Sequence, residues 1–230
     1  MKMKENTTVN RLPEMASDAM MRRLPAYYRQ LSELDNMGFI DLSSKDLARR
    51  MGLTDSQIRH DFNAFGGFGR RGRGYTVALL RRAIGDILDI NQPHNLIILG
   101  AGNIGRALAQ YGGFSTSNFK VVGLFDANED LVGKKFGGIR VYSLSSLQNF
   151  VKKNDVSIAI IATPGDRAQS LVEPLAQAGV KGIWNFAPVE IVAPEGMVVT
   201  NIHLTDSLMM LTFRMHEQDV LSSKTSWVKE

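Results

Sequence analysis

Residues 95–105 read Asn-Leu-Ile-Ile-Leu-Gly-Ala-Gly-Asn-Ile-Gly, an apolar run of strand length that passes directly into G-x-G-x-x-G. Such a glycine pattern gains meaning when a strand precedes it and a helix follows, and here Asn95–Leu99 supplies the strand and Ile104–Tyr111 the helix. Gly100 permits the tight turn, Gly102 lets a pyrophosphate approach the backbone at the helix N-terminus, and Gly105 lets helix pack on strand. The loop Gly100, Ala101, Gly102, Asn103, Ile104, Gly105 is therefore a candidate dinucleotide cradle. A second buried strand, Val121–Phe125, ends at Asp126. A carboxylate there accepts hydrogen bonds from ribose hydroxyls and repels a 2′-phosphate, which favours NAD(H) over NADP(H).

Downstream, strands and helices alternate. Ile139–Tyr142 reads as a strand and Ser145–Lys153 as a helix; Ser157–Ala162 is an apolar strand ending at Thr163 and Pro164, which join the coenzyme site. A helix Asp166–Ala178 closed by Gly179 follows, then strands Val180–Trp184 and Met197–Ile202. Alternation of this kind predicts an α/β fold, a Rossmann-type doubly wound parallel sheet over residues 91–202. The polar stretch Asp89–His94 marks its boundary with what precedes it.

Residues 1–90 carry the whole charge excess, with 15 Lys/Arg against 11 Asp/Glu. Residues 1–20 lack periodicity and are expected to fray. Leu24, Tyr27, Tyr28, Leu31 and Leu34 then follow helical spacing up to Gly38. Ser43 or Ser44 caps a second helix, with Asp46 as a capping-box partner, and Gly52 closes it. Thr54 caps a third, Asp55–Phe65, whose Ile58, Phe62 and Phe65 point inward while Gln57, Arg59, His60 and Asn63 point out. Helix, short turn and helix make a helix-turn-helix. Beyond it, Phe68 and Tyr75–Val77 read as two strands around a GRRGRG tip carrying Arg70, Arg71 and Arg73. A basic hairpin after a recognition helix is the layout of a winged helix, with a core of about residues 22–82, and its arginines suit a minor groove. Double-stranded DNA is the implied partner, with Arg59 reading bases and the wing arginines supplying groove and phosphate affinity.

Composition excludes other classes. The chain has 230 residues, 44% of them hydrophobic, which rules out a disordered chain. No apolar run reaches the ~18 residues of a membrane span, and the N-terminus lacks a signal core, so a cytoplasmic protein is expected. The absence of cysteine removes disulfides, thiolate metal sites and cysteine nucleophiles, and no metal is expected. No Tyr-x-x-x-Lys pair accompanies the nucleotide site, and neither His94 nor His216 belongs to a paired motif. The nucleotide therefore reads as a signal, not a reactant, and no catalytic residue is assigned. A last helix from about Leu204 to Val220 is apolar around most of its circumference, which predicts that it is sandwiched between partners.

The segments RRLPAYYRQL, IRHDFNAFGGFGRRGRGYTV, GAGNIG, AQYGGF, VVGLFDAN and GVKGIWNFAPVEIVAP together closely resemble the Rex family of redox-sensing transcriptional repressors. The resemblance runs from about Leu24 to Leu211. It implies a homodimer that binds a palindromic operator and lets go when NADH occupies the Rossmann domain. It also implies that residues 203–230 form a domain-swapped dimerisation helix and tail. By the same resemblance Tyr111, Asn185 and Phe186 belong to the pocket that senses the coenzyme. An inter-domain switch would involve Arg29 with the positions of His60 and His203. Family members commonly carry Lys or Arg at the first of these histidines and Asp at the second, so the switch is expected to be wired differently or to respond to pH. The alternatives from other classes are a small NAD-dependent oxidoreductase with an accessory N-terminal domain, and a nucleotide-binding module whose helix-turn-helix contacts protein.

Overall fold

The computed structural model describes residues 17–65, 68 and 74–226, and its fold divides into two units between Pro93 and His94. In the first, α1 (Asp18–Asn36) starts earlier than its stripe suggests. Ser17 caps it by accepting a hydrogen bond from the Met20 N–H at 3.3 Å, and the helix runs on through Pro25. A proline there removes one backbone bond. Burial of Met20, Leu24 and Tyr27 on either side of it holds the helix together, so residues 18–20 do not fray. Strand β1 (Asp41–Leu42) leads into α2 (Ser44–Met51). The Ser43 hydroxyl accepts from the Asp46 N–H and donates to its carboxylate, and Gly52 ends the helix at φ 66°. Thr54 caps α3 (Asp55–Ala64), which packs against α2.

Strand β2 (Tyr75–Thr76) pairs antiparallel with β1, Leu42 opposite Tyr75. This corrects the hairpin expected from sequence, because Phe68 lies in no strand. Tyr75 and Leu42 are both buried and share the core, while the Thr76 hydroxyl donates to the Asp41 carboxylate at 3.0 Å. Gly74 has φ 79°, and a Cβ on it would meet the Leu42 carbonyl oxygen at 2.4 Å, so only glycine lets the strands close here. Val77, expected to extend the strand, instead opens α4 (Val77–Ile87). The buried stripe Val77, Leu80 and Ile84 packs α4 on α1, and Arg81 Nε donates to Asp35 Oδ2 at 2.9 Å. The expected wing arginines Arg70, Arg71 and Arg73 lie outside the described residues.

Asp61 of α3 has no exposed surface, and four donors converge on it. Arg23 Nε and Nη2 donate to its two oxygens at 2.7 and 2.9 Å, the Tyr27 hydroxyl at 2.6 Å and Gln57 Nε2 at 2.9 Å. Burial alone would push its carboxyl up, but the hydrogen bonds from Arg23, Tyr27 and Gln57 outweigh that and hold it below the usual carboxylate range. Edge-on contacts of Phe62 with Tyr27 and Tyr75, at 5.1 and 5.0 Å between centroids, complete the seam beneath α3.

The second unit begins with β3 (His94–Leu99), α5 (Asn103–Ala109), the single turn α6 (Gly113–Thr116) and β4 (Phe119–Asp126). It continues with β5 (Lys135–Phe136), β6 (Ile139–Ser143), α7 (Leu147–Lys153) and β7 (Val156–Ile161). The rest is α8 (Gly165–Ala168), α9 (Val172–Ala178), β8 (Gly182–Asn185), β9 (Val198–Asn201) and α10 (Leu204–Ser226). Strand order is β5-β6-β4-β3-β7-β8-β9, parallel except for the β5–β6 hairpin, which the sequence reading lacks. Removing that hairpin strand leaves the six-stranded order of the dinucleotide-binding fold, reversing direction at β3 and β7. Ile97 and Leu99 pack beneath α7 and α9, while Leu96 and Ile98 face the opposite layer, which is why β3 reads as a continuous apolar run.

The helix expected over Asp166–Ala178 is broken into α8, a tight turn over Gln169–Leu171, and α9. Pro174 explains the break, since its ring would clash with the Ser170 carbonyl in a continuous helix. Helix α10 carries Leu208, Met209, Met210, Leu211, Phe213 and Met215, each more than half exposed in the single chain.

Asp61 titrates below its unfolded value, so its contribution to stability is complete above ~3.9 and fades as pH falls through the lower native value. Asp61→Asn is expected to destabilise this unit by about 2–4 kcal/mol at pH 7, and by clearly less at pH 3. Hydrogen exchange of the α1 and α3 amides at the two pH values measures this for the unit alone. An equal difference at both pH values would contradict it.

Candidate functional site

The chain's crevice opens at the carboxyl ends of β3, β4 and β7. A cavity of about 410 Å³ there is lined by Gly100, Gly102, Asp126, Ala127, Thr163 and Pro164, together with Leu144, Arg167 and Ser170. Two glycines of the loop are dictated by space. Gly100 has φ 105°, and a Cβ on it would sit 2.4 Å from the Ala162 carbonyl oxygen, where β3 and β7 part. A Cβ on Gly105 would sit 1.8 Å from the Gly100 carbonyl oxygen, so α5 could not rest on the loop with any other residue. Gly102 is the opposite case: nothing lies within 4 Å of where its side chain would project, which leaves the approach to the start of α5 open. The first N–H groups of a helix have no partner within it, and those of Asn103, Ile104 and Gly105 begin α5.

Asp126 stands at the end of β4. Its Oδ2 accepts from the Ala101 N–H at 2.6 Å and its Oδ1 from the Asn128 N–H at 2.8 Å. These bonds tie the glycine loop to the next strand and fix the carboxylate at the cavity rim. Arg106 braces the same loop, its Nε donating to the Ala101 carbonyl at 2.6 Å while its guanidinium lies 4.2 Å from the centre of the Phe136 ring. The Thr163 hydroxyl oxygen is buried and, among the described residues, has no hydrogen-bond partner. A buried hydroxyl in this condition can take a partner from a bound ligand or water. Open glycine backbone, a rim carboxylate and an orphan hydroxyl all suit a dinucleotide. Arg167, Ser170 and Leu144 carry no glycine or strand-end signal in the sequence, and only the fold brings them to this cavity.

Tyr111 lies on the other side of α5. It is 60% exposed, and its ring meets Phe114 edge-on at 5.1 Å. Gly113 makes this possible, since a Cβ there would be 2.5 Å from the Tyr111 ring. Phe114 continues to Trp184 at 6.2 Å and Trp184 to Phe186 at 4.6 Å, a row of four rings. Tyr111, Phe114 and Trp184 line an apolar cavity of about 420 Å³ with Leu96, Ile158 and Ile160. Phe114 and Trp184 stand in the quoted segments AQYGGF and GIWNF, yet only the fold places them in one row. Asn185 is buried, and its amide is committed to the protein. Its nitrogen donates to the Val189 carbonyl at 2.7 Å and to Asn201 Oδ1 at 2.8 Å, and its oxygen accepts from the Ala187 N–H at 3.0 Å. Its side chain therefore ties β8 to the following loop and to β9, beside Phe186.

On α3, Arg59, His60 and Asn63 are exposed. Arg59 Nη1 is paired with Asp55 Oδ2 one turn earlier at 2.7 Å. His60 Nδ1 lies 3.7 Å from Asp61 Oδ1. Gln57 is half-buried and points one end of its amide at Asp61, so it is not the free polar side chain that spacing alone suggests. Arg29 is exposed on α1 in the same unit, and His203 is exposed just ahead of α10 in the other.

Residues 91–189 match the family described as CoA binding domain, and residues 16–63 the family described as putative DNA-binding protein N-terminus. The redox-sensing transcriptional repressor Rex of Clostridioides difficile (strain 630) is 43% identical over 201 residues, covering 87% of this chain and 96% of that protein. Rex of Clostridium botulinum is 47% identical over 196 residues, covering 85% of this chain and 93% of that one. Among solved structures, RSP in complex with beta-NAD+ and operator DNA superimposes with a TM-score of 0.82 at 39% identity, over 92% of this chain and 98% of RSP. RSP in complex with beta-NADH gives 0.80 at 38% identity, over 91% and 98%. With that identity sustained over nearly the full length of its relatives, the chain belongs to the Rex family of redox-sensing transcriptional repressors.

Proposed function

We propose that this chain represses transcription as a homodimer, holding a palindromic operator through its N-terminal unit and releasing it when NADH occupies the glycine-loop cavity. The observation that carries the reading is the presence, in one chain, of a capped helix-turn-helix and a dinucleotide cavity at a sheet's switch point. RSP, a Rex-family repressor, is known with beta-NAD+ on operator DNA and also with beta-NADH, which supports the same pairing of ligands here. The dinucleotide acts as an effector and undergoes no reaction. Relatives named as repressors support this. A repressor of this kind works in the cytoplasm.

In this reading Arg59, His60, Asn63 and Gln57 face the major groove, with Arg70, Arg71 and Arg73 in the adjoining minor groove. Gly100 to Gly105 cradle the pyrophosphate, Asp126 takes the adenosine ribose, and Thr163 and Pro164 close the opposite side. The row containing Tyr111 and Phe186 receives the nicotinamide. Helix α10 exchanges with its counterpart to cover its apolar surface, and Arg29, His60 and His203 form the network between domains. NADH must bind the DNA-incompetent arrangement more tightly than the competent one, since equal affinity would shift nothing. A near-complete switch needs a ratio of ~10⁴, roughly 5.5 kcal/mol, which two coupled sites can share.

Two outcomes follow. Tyr111→Phe leaves operator affinity unchanged but blunts release by NADH, read as fluorescence anisotropy of an operator duplex titrated with the coenzyme; an unaltered titration would exclude Tyr111 from the sensing pocket. Asp126→Ala weakens NADH binding by about 10- to 100-fold, the loss expected for hydrogen bonds to a charged acceptor, and narrows discrimination against NADPH. Calorimetric titration with both coenzymes decides it, and undiminished NADH affinity would remove Asp126 from the site.

A further inference from the structure

Resting on the DNA-binding reading above, we infer that Gln57 specifies an adenine in each half-site and that Asp61 is the positioning residue that turns its amide to do so. A glutamine amide can be rotated to present either end, but an ionised carboxylate only accepts hydrogen bonds. Asp61 therefore fixes the Gln57 nitrogen inward, at 2.9 Å from its Oδ1. Asp61 is itself immovable, held by Arg23 and Tyr27 of α1 and without exposed surface. What Gln57 has left is its carbonyl oxygen, which receives no hydrogen bond among the described residues, beside the second N–H of the same planar group.

An acceptor beside a donor is the complement of one base edge in the major groove. Adenine offers an N6 donor next to an N7 acceptor, whereas guanine offers two acceptors, and neither pyrimidine offers such a pair. The place on the helix also fits. Gln57 is the third residue of α3, its backbone N–H capped by the Thr54 hydroxyl at 3.2 Å, and the start of the second helix is the part of a helix-turn-helix that reaches base edges. Arg59 pairs with Asp55 at 2.7 Å and His60 lies 3.7 Å from Asp61, but neither pairing sets an acceptor beside a donor as the Gln57 amide does.

The test uses the full-length protein and a randomised duplex library. The wild type is expected to select an adenine at one position of each half-site by roughly 5- to 150-fold over other bases, the range for a bidentate contact. Gln57→Ala is expected to lose the preference at that position alone. Replacing that adenine with 7-deazaadenine should weaken binding by the wild type and leave Gln57→Ala unaffected. Asp61→Asn, with helical content retained by circular dichroism, should keep its affinity for random duplex and lose the same preference. Should Asp61→Asn fail to fold, the Gln57→Ala selection and the 7-deazaadenine comparison decide the matter. Selection of an unchanged site by Gln57→Ala, or equal 7-deazaadenine effects on both proteins, would overturn the assignment while leaving DNA binding intact. A wild type that selects no sequence would overturn the DNA-binding reading itself.

Discussion

At the mouth of the large sheet, two stretches of backbone share a space too small for a methyl group. The Gly100 carbonyl oxygen and the Cα of Gly105 approach so closely that a Cβ would overlap the oxygen, and Gly100 is pressed in turn against the Ala162 carbonyl. This crowding seats the start of α5 directly over the end of β3, beside the end of β7. The cavity proposed for the dinucleotide is the space left over. Asp126 then fastens the loop from the neighbouring strand through the Ala101 N–H, so the cradle is held from both sides before any ligand arrives. Preorganisation of this kind lowers the ordering cost of binding.

Those glycines, and the strand before them, were legible because steric necessity leaves a trace in sequence. Caps were legible for a similar reason, since Ser43, Thr54 and Gly52 satisfy local geometry with local chemistry. What sequence could not show was which distant segment completes a strand pair or a pocket. Tyr75 and Thr76 pair with Asp41 and Leu42, over thirty residues back, instead of with the nearer Phe68, because burial of Leu42 with Tyr75 selects the partner. Val77 has strand propensity but joins α4, where tertiary burial outweighs its local preference. Spacing alone makes Gln57 a free polar group on an exposed face and says nothing of what holds the Asn185 amide. In both cases the hydrogen-bond partner, Asp61 or Asn201, is known only once the chain has folded.

Asp61 also shows what a buried charge is for. Replacing a buried ion pair with well-packed apolar groups is often neutral or stabilising, so stability alone does not explain its place here. Ile58 and Phe62 already bury one face of α3, and directional hydrogen bonds to Asp61 add a constraint that apolar contact alone does not supply. Three donors on α1, two from Arg23 and one from Tyr27, orient α3 against it and with it the outward side chains of α3. A surface that must present particular atoms to a partner needs that directional constraint more than it needs burial.

In the proposed reading the aromatic row must tell NADH from NAD⁺, which differ by one charge on the nicotinamide. Aromatic faces attract cations by about 0.5–2 kcal/mol, which taken alone would favour the oxidised form. Transfer of an unpaired ionic group out of water costs considerably more than that. The cavity beside Tyr111 is lined by Leu96, Phe114, Ile158, Ile160 and Trp184, side chains without a carboxylate to compensate the charge. For a nicotinamide placed there as proposed, desolvation outweighs the ring attraction and favours the reduced, neutral form.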